Sequence, residues 1–300
     1  MPLEAVHLSG LSDSLLLANS WVQKATSGNR LDAARVGALF VDLPYFDRFA
    51  WAALRFALAK PQARSPFGDL FHEQKPIALG RLFGEAGVRL LRSAQTRLAG
   101  ETLIALALGY ISHAAFDVTM HPRINRLART MAARTGRQPS QEHHFIEVIQ
   151  SLVFHRQRAG LALGQARLLR YVTVDARFLG RVGPVAHAVQ TAIQGLHDRA
   201  PTLSQFGAFA DGYLLYCALL GNSVLGPRLC RENTLAAARP ELYDRFDFPA
   251  LFSQAVQRSR AYLDALGNYL SDGIFDESAR AMLAAHIPEG SIDPEPTARD

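Results

Sequence analysis

Apolar residues recur every three to four positions through most of the chain, as in "ETLIALALGYISHAAF" and "FSQAVQRSRAYLDALGNYL". That is the period of a helix with one buried face. Alternating β-branched runs bounded by Asn-Gly or Asp-Gly turns do not occur, so strands are not expected. The pattern predicts helices over 46–59, 74–98, 101–120, 141–158, 183–198, 203–221, 249–270 and 276–286, separated by segments such as "AKPQARSPFGD" and "RTGRQPSQ". No internal repeat or interdomain linker interrupts them, and residues 1–286 read as a single all-α domain, a multi-helix bundle. Residues 287–300, "IPEGSIDPEPTARD", lack apolar periodicity and read as a disordered tail.

Composition narrows the class. A chain of 300 residues, 49% hydrophobic and 20% charged, can bury a substantial core. Cys217 and Cys230 are too few for a disulfide framework, which leaves packing and metal as the means of holding the fold. The opening "MPLEAVHLSGLSDSLLLANSW" has no basic segment ahead of an apolar one, and no run approaches the roughly 20 apolar residues of a membrane span. The expectation is a cytoplasmic protein with no recognisable signal peptide, with secretion left open as the alternative. The net charge of +5 comes mostly from scattered arginines and gives only a slight preference for anionic partners.

The chemistry concentrates in "ALGYISHAAFDVTMHPRIN", where His113, Asp117 and His121 stand four apart. Such positions drift by only about 40° per step and so share one helix face. Their neighbours Leu106, Leu108, Ile111, Ala114, Ala115 and Phe116 are apolar, and an unpaired buried carboxylate costs several kcal/mol. Two imidazoles and a carboxylate suit a zinc ion. Pro122 is expected to stop the helix or begin a new turn. A second pair, His143 and Glu147, repeats the spacing in "SQEHHFIEVIQSLVFH", again among apolar residues. Facing His/carboxylate pairs are how helical bundles build metal centres. Each pair alone also reads as a helix-stabilising contact. Asp42, set between Val41 and Leu43 before Pro44, must be paired or sit at a turn. His7 and His72 carry no signal of their own.

Taken in order, these stretches resemble the zinc-dependent phospholipase C family, whose all-helical fold is shared with zinc-dependent single-strand nucleases. "SHAAFDVTMHP" and "HHFIE" carry the resemblance, with "VGALFVDLPYF", "LFHEQKPIA" and "AVHLSGLSDSLL" upstream. It spans residues 1–158. It implies one zinc held by Asp42, His72, His113 and Asp117, and another held by His121, His143 and Glu147. In the family a third ion uses the histidine matching His7, shares the carboxylate matching Asp117, and is completed by an N-terminal tryptophan. Here Met1 stands six residues before His7 and no tryptophan precedes it, so two or three ions are expected.

The resemblance implies hydrolysis of a phosphate ester by metal-activated water, foremost a phosphodiester of a phospholipid-like substrate, with Asp42 orienting or deprotonating the water. A lipid substrate implies transient contact with a membrane surface and an apolar entrance, for which Phe40, Tyr45, Phe46 and Phe71 are candidates, although such aromatics are more often core. A single-strand nuclease ranks second; "RINRLARTMAARTGR" would be its basic track, or simply a solvated face. Below these rank an intracellular hydrolase of another ester in a specialised pathway and a non-catalytic, metal-stapled binding protein. The doublet His197-Asp198 suggests a different phosphohydrolase class, with an exposed helix end as the simpler account.

Overall fold

The computed structural model of the chain describes residues 4–50, 66–154, 173–220, 222 and 247–292. Among these are eleven α-helices and two 3-10 turns, and no strand. In chain order the helices are α1 (Glu4–Leu17), α2 (Ser20–Ala25), α3 (Arg30–Leu39), α4 (Pro66–Glu73), α5 (Pro76–Leu90), α6 (Arg97–Thr135), α7 (Pro139–Phe154), α8 (Pro184–His197), α9 (Leu203–Leu220), α10 (Phe248–Asp272) and α11 (Glu277–His286). The 3-10 turns cover Leu43–Phe46 and Arg177–Gly180. The fold is the all-α bundle that the apolar period predicts.

Helix α6 is the axis, and α1, α3, α5, α7 and α10 all pack against it. Its 39 residues are buried almost continuously from Leu103 to Asp117. It is the one helix among the described residues long and apolar enough to cross a membrane, and 89% of its most apolar window is buried inside the protein. Pro122 does not end it. The ring is exposed, and the residues on either side, Met120, His121 and Ile124, remain packed against neighbours, so the helix continues for three further turns. Its end comes at Gly136, whose φ of 71° needs a residue without a Cβ and whose N–H bonds Ala132 O at 2.9 Å. That turn folds α7 back along α6.

Two glycines set the closest approach. A Cβ on Gly109 would lie 1.8 Å from Ala34 O, and one on Gly37 would lie 2.0 Å from Leu106 O. Backbones of α3 and α6 therefore touch directly. The main core runs from Leu8 to Ile292, and a second apolar cluster, including Phe116, Met120, Ile146, Phe154 and Phe252, lies between α6, α7 and α10. Buried Glu85 bonds Arg81, Arg89 and the Tyr269 hydroxyl, with Arg280 beside it, tying α5 to α10 and α11.

Several expectations change. The predicted helix over 74–98 ends at Leu90, and the one over 101–120 begins at Arg97 and runs to Thr135. Helices α1 to α4 escaped the apolar period. In α1, Ser12 and Ser14 hide polar positions on a packed helix by donating to Leu8 O and Gly10 O. The expected disordered tail is held through residue 292: Ile287 and Ile292 are buried, and the Ile292 N–H and Ser291 hydroxyl both donate to His72 O. Residues 293–300, the predicted helix beyond residue 50, and the ends predicted at 155–158 and 221 lie outside the described residues.

Candidate metal centre

Helix α6 presents His113, Asp117 and His121 on successive turns, and neighbouring elements bring the other predicted ligands to them. Asp42 sits in the turn after α3, with its N–H on Leu39 O and its carbonyl accepting from Tyr45 N–H, ahead of Pro44. His72 comes from the last turn of α4, His7 from α1, and His143 and Glu147 from α7. All eight predicted ligands meet at one place.

Asp117 lies at its middle. Its Oδ2 is 2.9 Å from His113 Nε2 and 3.7 Å from His72 Nε2, while its Oδ1 is 3.4 Å from His7 Nε2 and 3.6 Å from His121 Nε2. His72 Nε2 is also 3.4 Å from Asp42 Oδ1. On the far side, Glu147 Oε1 stands 2.9 Å from His143 Nε2 and 3.7 Å from His121 Nε2. Donor atoms fall into three groups, each within 4.8 Å: His7, His113 and Asp117; Asp42, His72 and His113; and His121, His143 and Glu147. Donors around a tetrahedral zinc with Zn–N of about 2.0–2.1 Å are themselves about 3.3 Å apart. The observed pair spacings, 2.9 to 3.7 Å, bracket that edge.

Ring orientation supports the same reading. Nδ1–H of His113 donates to Ala38 O at 2.8 Å, and Nδ1–H of His72 to Gly68 O at 2.8 Å. Nδ1–H of His143 donates to Asn125 Oδ1. Each bond fixes a tautomer that leaves Nε2 as a lone pair facing the centre. His113 Nε2 and Asp117 Oδ2, though 2.9 Å apart and buried, lack hydrogen-bond geometry with any group. Two donors directed at a shared ion make such a contact. These buried His, Asp and Glu groups can hold metal ions.

Without a metal, the charges respond to one another. Burial holds the His7 ring down at about 4, helped by the neighbouring His113 charge. Burial also works against a charged His113, but the Asp117 and Asp42 carboxylates outweigh it and raise the ring to about 9. Asp117 is held far below the usual carboxylate range: burial opposes this, and the charges of His113 and His121 override it. Asp42 is lowered in the same way, with His113 and His72 overcoming its burial. The rings of His7 and His113 stack with centroids 4.0 Å apart.

Asp42 is the most exposed of these side chains at 22%, with His143 at 18%, while Asp117 is at 2%. Tyr45, three residues after Asp42, is half-buried, with its hydroxyl near His72 and Asp69. The other aromatic candidates are not an entrance. Phe40, Phe46 and Phe71 are fully buried in the main core, where Phe40 contacts Phe71, Phe83 and Tyr110. The His197-Asp198 doublet ends α8, with Asp198 in the left-handed conformation at φ 57°, and it joins none of the three donor groups.

Sequence reading missed Asn125 and the carbonyls of Ala38 and Gly68. Asn125 had a signal, because it continues the four-residue spacing His113, Asp117, His121. Backbone acceptors leave none. Fold and site together define an all-helical protein with a buried, carboxylate-centred group of candidate metal ligands. No known protein family, curated protein or solved structure matches the chain.

Proposed function

We propose that this protein is a zinc-dependent hydrolase of phosphate esters, acting foremost on a phosphodiester of a phospholipid-like substrate, as members of the zinc-dependent phospholipase C family do. The observation that carries this reading is the convergence of five histidines and three carboxylates on one centre with an accessible edge at Asp42. Asp42, His72, His113 and Asp117 would hold one ion, and His121, His143 and Glu147 another. Adjacent zinc ions supply Lewis acidity toward phosphoryl oxygens and bring the pKa of water toward neutrality. A site meant only to staple a fold closes four cysteine and histidine ligands around its ion, whereas this one is rich in carboxylates and partly exposed at Asp42 and His143.

The chain's own groups have distinct parts in this reading. Asp42, kept ionised by His113 and His72 and partly exposed, would orient water at the rim or take its proton. The Tyr45 hydroxyl, which donates to Asp69 Oδ1 at 3.4 Å, would turn from that bond to donate to an anionic substrate oxygen. Asp117, sealed beneath, keeps its charge and holds the surrounding rings in register.

A lipid is preferred over single-stranded nucleic acid because of where the arginines after His121 lie. Arg123, Arg126, Arg134 and Arg137 are exposed on α6 and the turn that follows it. At about 100° per residue Arg126 lies opposite Asp117, while Arg123 and Arg134 lie about 120° and about 100° round the helix from it, off the ligand face. They therefore make no track into the centre.

The test is turnover by the zinc-loaded protein on phosphatidylcholine vesicles, a soluble phosphodiester and a single-stranded oligonucleotide. Hydrolysis of the first two, abolished by chelation and cut at least about a hundredfold in Asp42→Asn, is expected. Cleavage of the oligonucleotide alone would replace the lipid reading, and no turnover of any ester would remove the hydrolase reading.

A further inference from the structure

His72 stands in the last turn of α4, where its carbonyl has no helical partner to bond. In a helix that continued, the N–H four residues on would take it, but that residue is Pro76, which has none. The chain turns sharply there, with Lys75 in the left-handed conformation at φ 53°, unfavourable for a residue with a Cβ. The His72 carbonyl is taken instead by a distant segment. The Ile292 N–H donates to it at 3.0 Å and the Ser291 hydroxyl, 219 positions away, at 3.3 Å.

This contact reaches the metal centre through α4. That helix has only eight residues, too few to be stable alone. The His72 ring is tied to it by the Nδ1–H bond to Gly68 O at 2.8 Å, so ring and helix move as one. His72 Nε2 is 3.4 Å from Asp42 Oδ1 and 3.7 Å from Asp117 Oδ2. Any shift of α4 would therefore open the group made by Asp42, His72 and His113, and leave His121, His143 and Glu147 on α6 and α7 where they are. The segment making the contact is itself held at both ends. Ile287 and Ile292 are buried, and the Ile287 N–H donates to Leu283 O of α11 at 2.8 Å. Helix α11 in turn sets Arg280 3.6 Å from buried Glu85 of α5.

We propose that residues 287–292 are a strap that positions His72 as a metal ligand. Docked on the His72 carbonyl, the strap holds α4 where Nε2 completes the ion shared with Asp42 and His113, and its release weakens that ion alone. Ser291 and Ile292 are positioning residues that act through His72. This rests on the metal reading of the centre and adds to it a part of the chain that supplies no ligand.

The test loads the metal-free full chain with zinc against a chelating dye and, separately, with cobalt(II), whose visible absorption reads the geometry of its ligands. Ile292→Pro removes the N–H and keeps an apolar ring, whereas Ile292→Val keeps both the N–H and the apolar contact. Ile292→Pro is expected to bind one ion about tenfold more weakly, with altered cobalt bands, and the other as wild type does. Ile292→Val is expected to match wild type. The tenfold loss should persist when Ile292→Pro is combined with His143→Ala, which leaves only the ion on the Asp42 side. Ser291→Ala should show a smaller loss in the same ion, restored in Ser291→Thr. A folded Ile292→Pro that binds both ions as tightly as wild type, or weakens both equally, overturns the strap. If that variant does not fold, a Ser291→Ala indistinguishable from wild type does so. A wild type that binds no metal removes the metal reading itself.

Discussion

Asn125 accepts from His143 Nδ1–H and thereby turns His143 Nε2 toward Glu147. Groups that orient a metal-binding histidine typically contribute about 10–100-fold to metal affinity. Asn125→Ala is accordingly expected to weaken the ion at His121, His143 and Glu147 by that factor, with the Asp42 side unchanged; competition against a chelating dye reads this, and equal affinities would contradict it. Protonation gives a second prediction. The His113 pKa, raised to about 9 in the metal-free protein, makes its charged form a stabilising partner of Asp117 that is fully present below about 6.5. That contribution is lost as pH rises through about 9. Metal needs the neutral ring, so zinc binding should release protons at pH 7 to 8 and tighten across the same window. A pH-stat titration showing no release would contradict it. The ligands on α6 and α7 were legible because a four-residue spacing in apolar helices leaves few other uses for their polar groups. His7 and His72 were not, since each stands alone on its helix and gains its meaning only when α1 and α4 reach α6.

At the scale of elements, the contact of α3 with α6 positions the centre as much as any ligand does. Ala38 O, which orients His113, stays in place because Gly109 and Gly37 let the two backbones touch. A methyl at Gly109 would have to push against the Ala34 carbonyl, a rigid backbone group. Overpacking of this kind costs about 1–3 kcal/mol or more. Gly109→Ala should lower the Tm and weaken zinc binding together, although residue 109 has no side chain to offer the centre. Calorimetry and metal content measured on one preparation would show it; a lower Tm with unaltered metal affinity would separate the helix contact from the site. Long amphipathic helices such as α10 were readable from period alone. The short helices α2 and α4 were not, because six to eight residues give too few turns to establish a period. The extension of α6 past Pro122 was hidden for a different reason: packing on both sides of the proline outweighs its local preference, and tertiary contact is not written in a spacing.

For the whole molecule, the centre joins distant parts of the chain. Its ligands come from α1, the turn after α3, α4, α6 and α7, and the segment ending at Ile292 bonds the His72 carbonyl. Ions bound only by the folded state therefore hold most of the bundle's first half together. A ligand at about a thousand times its Kd adds roughly 4 kcal/mol to stability. Removing metal should lower the Tm reversibly, with zinc restoring it; an unmoved Tm would mean that the polar groups are satisfied without metal. The most direct measurement is the metal content of the protein purified without added metal, beside His113→Ala and, as control, His286→Ala on the exposed face of α11. At least two equivalents of zinc are expected in wild type and in His286→Ala, and loss of at least one in His113→Ala. No zinc in wild type, or equal zinc in all three proteins, would contradict it.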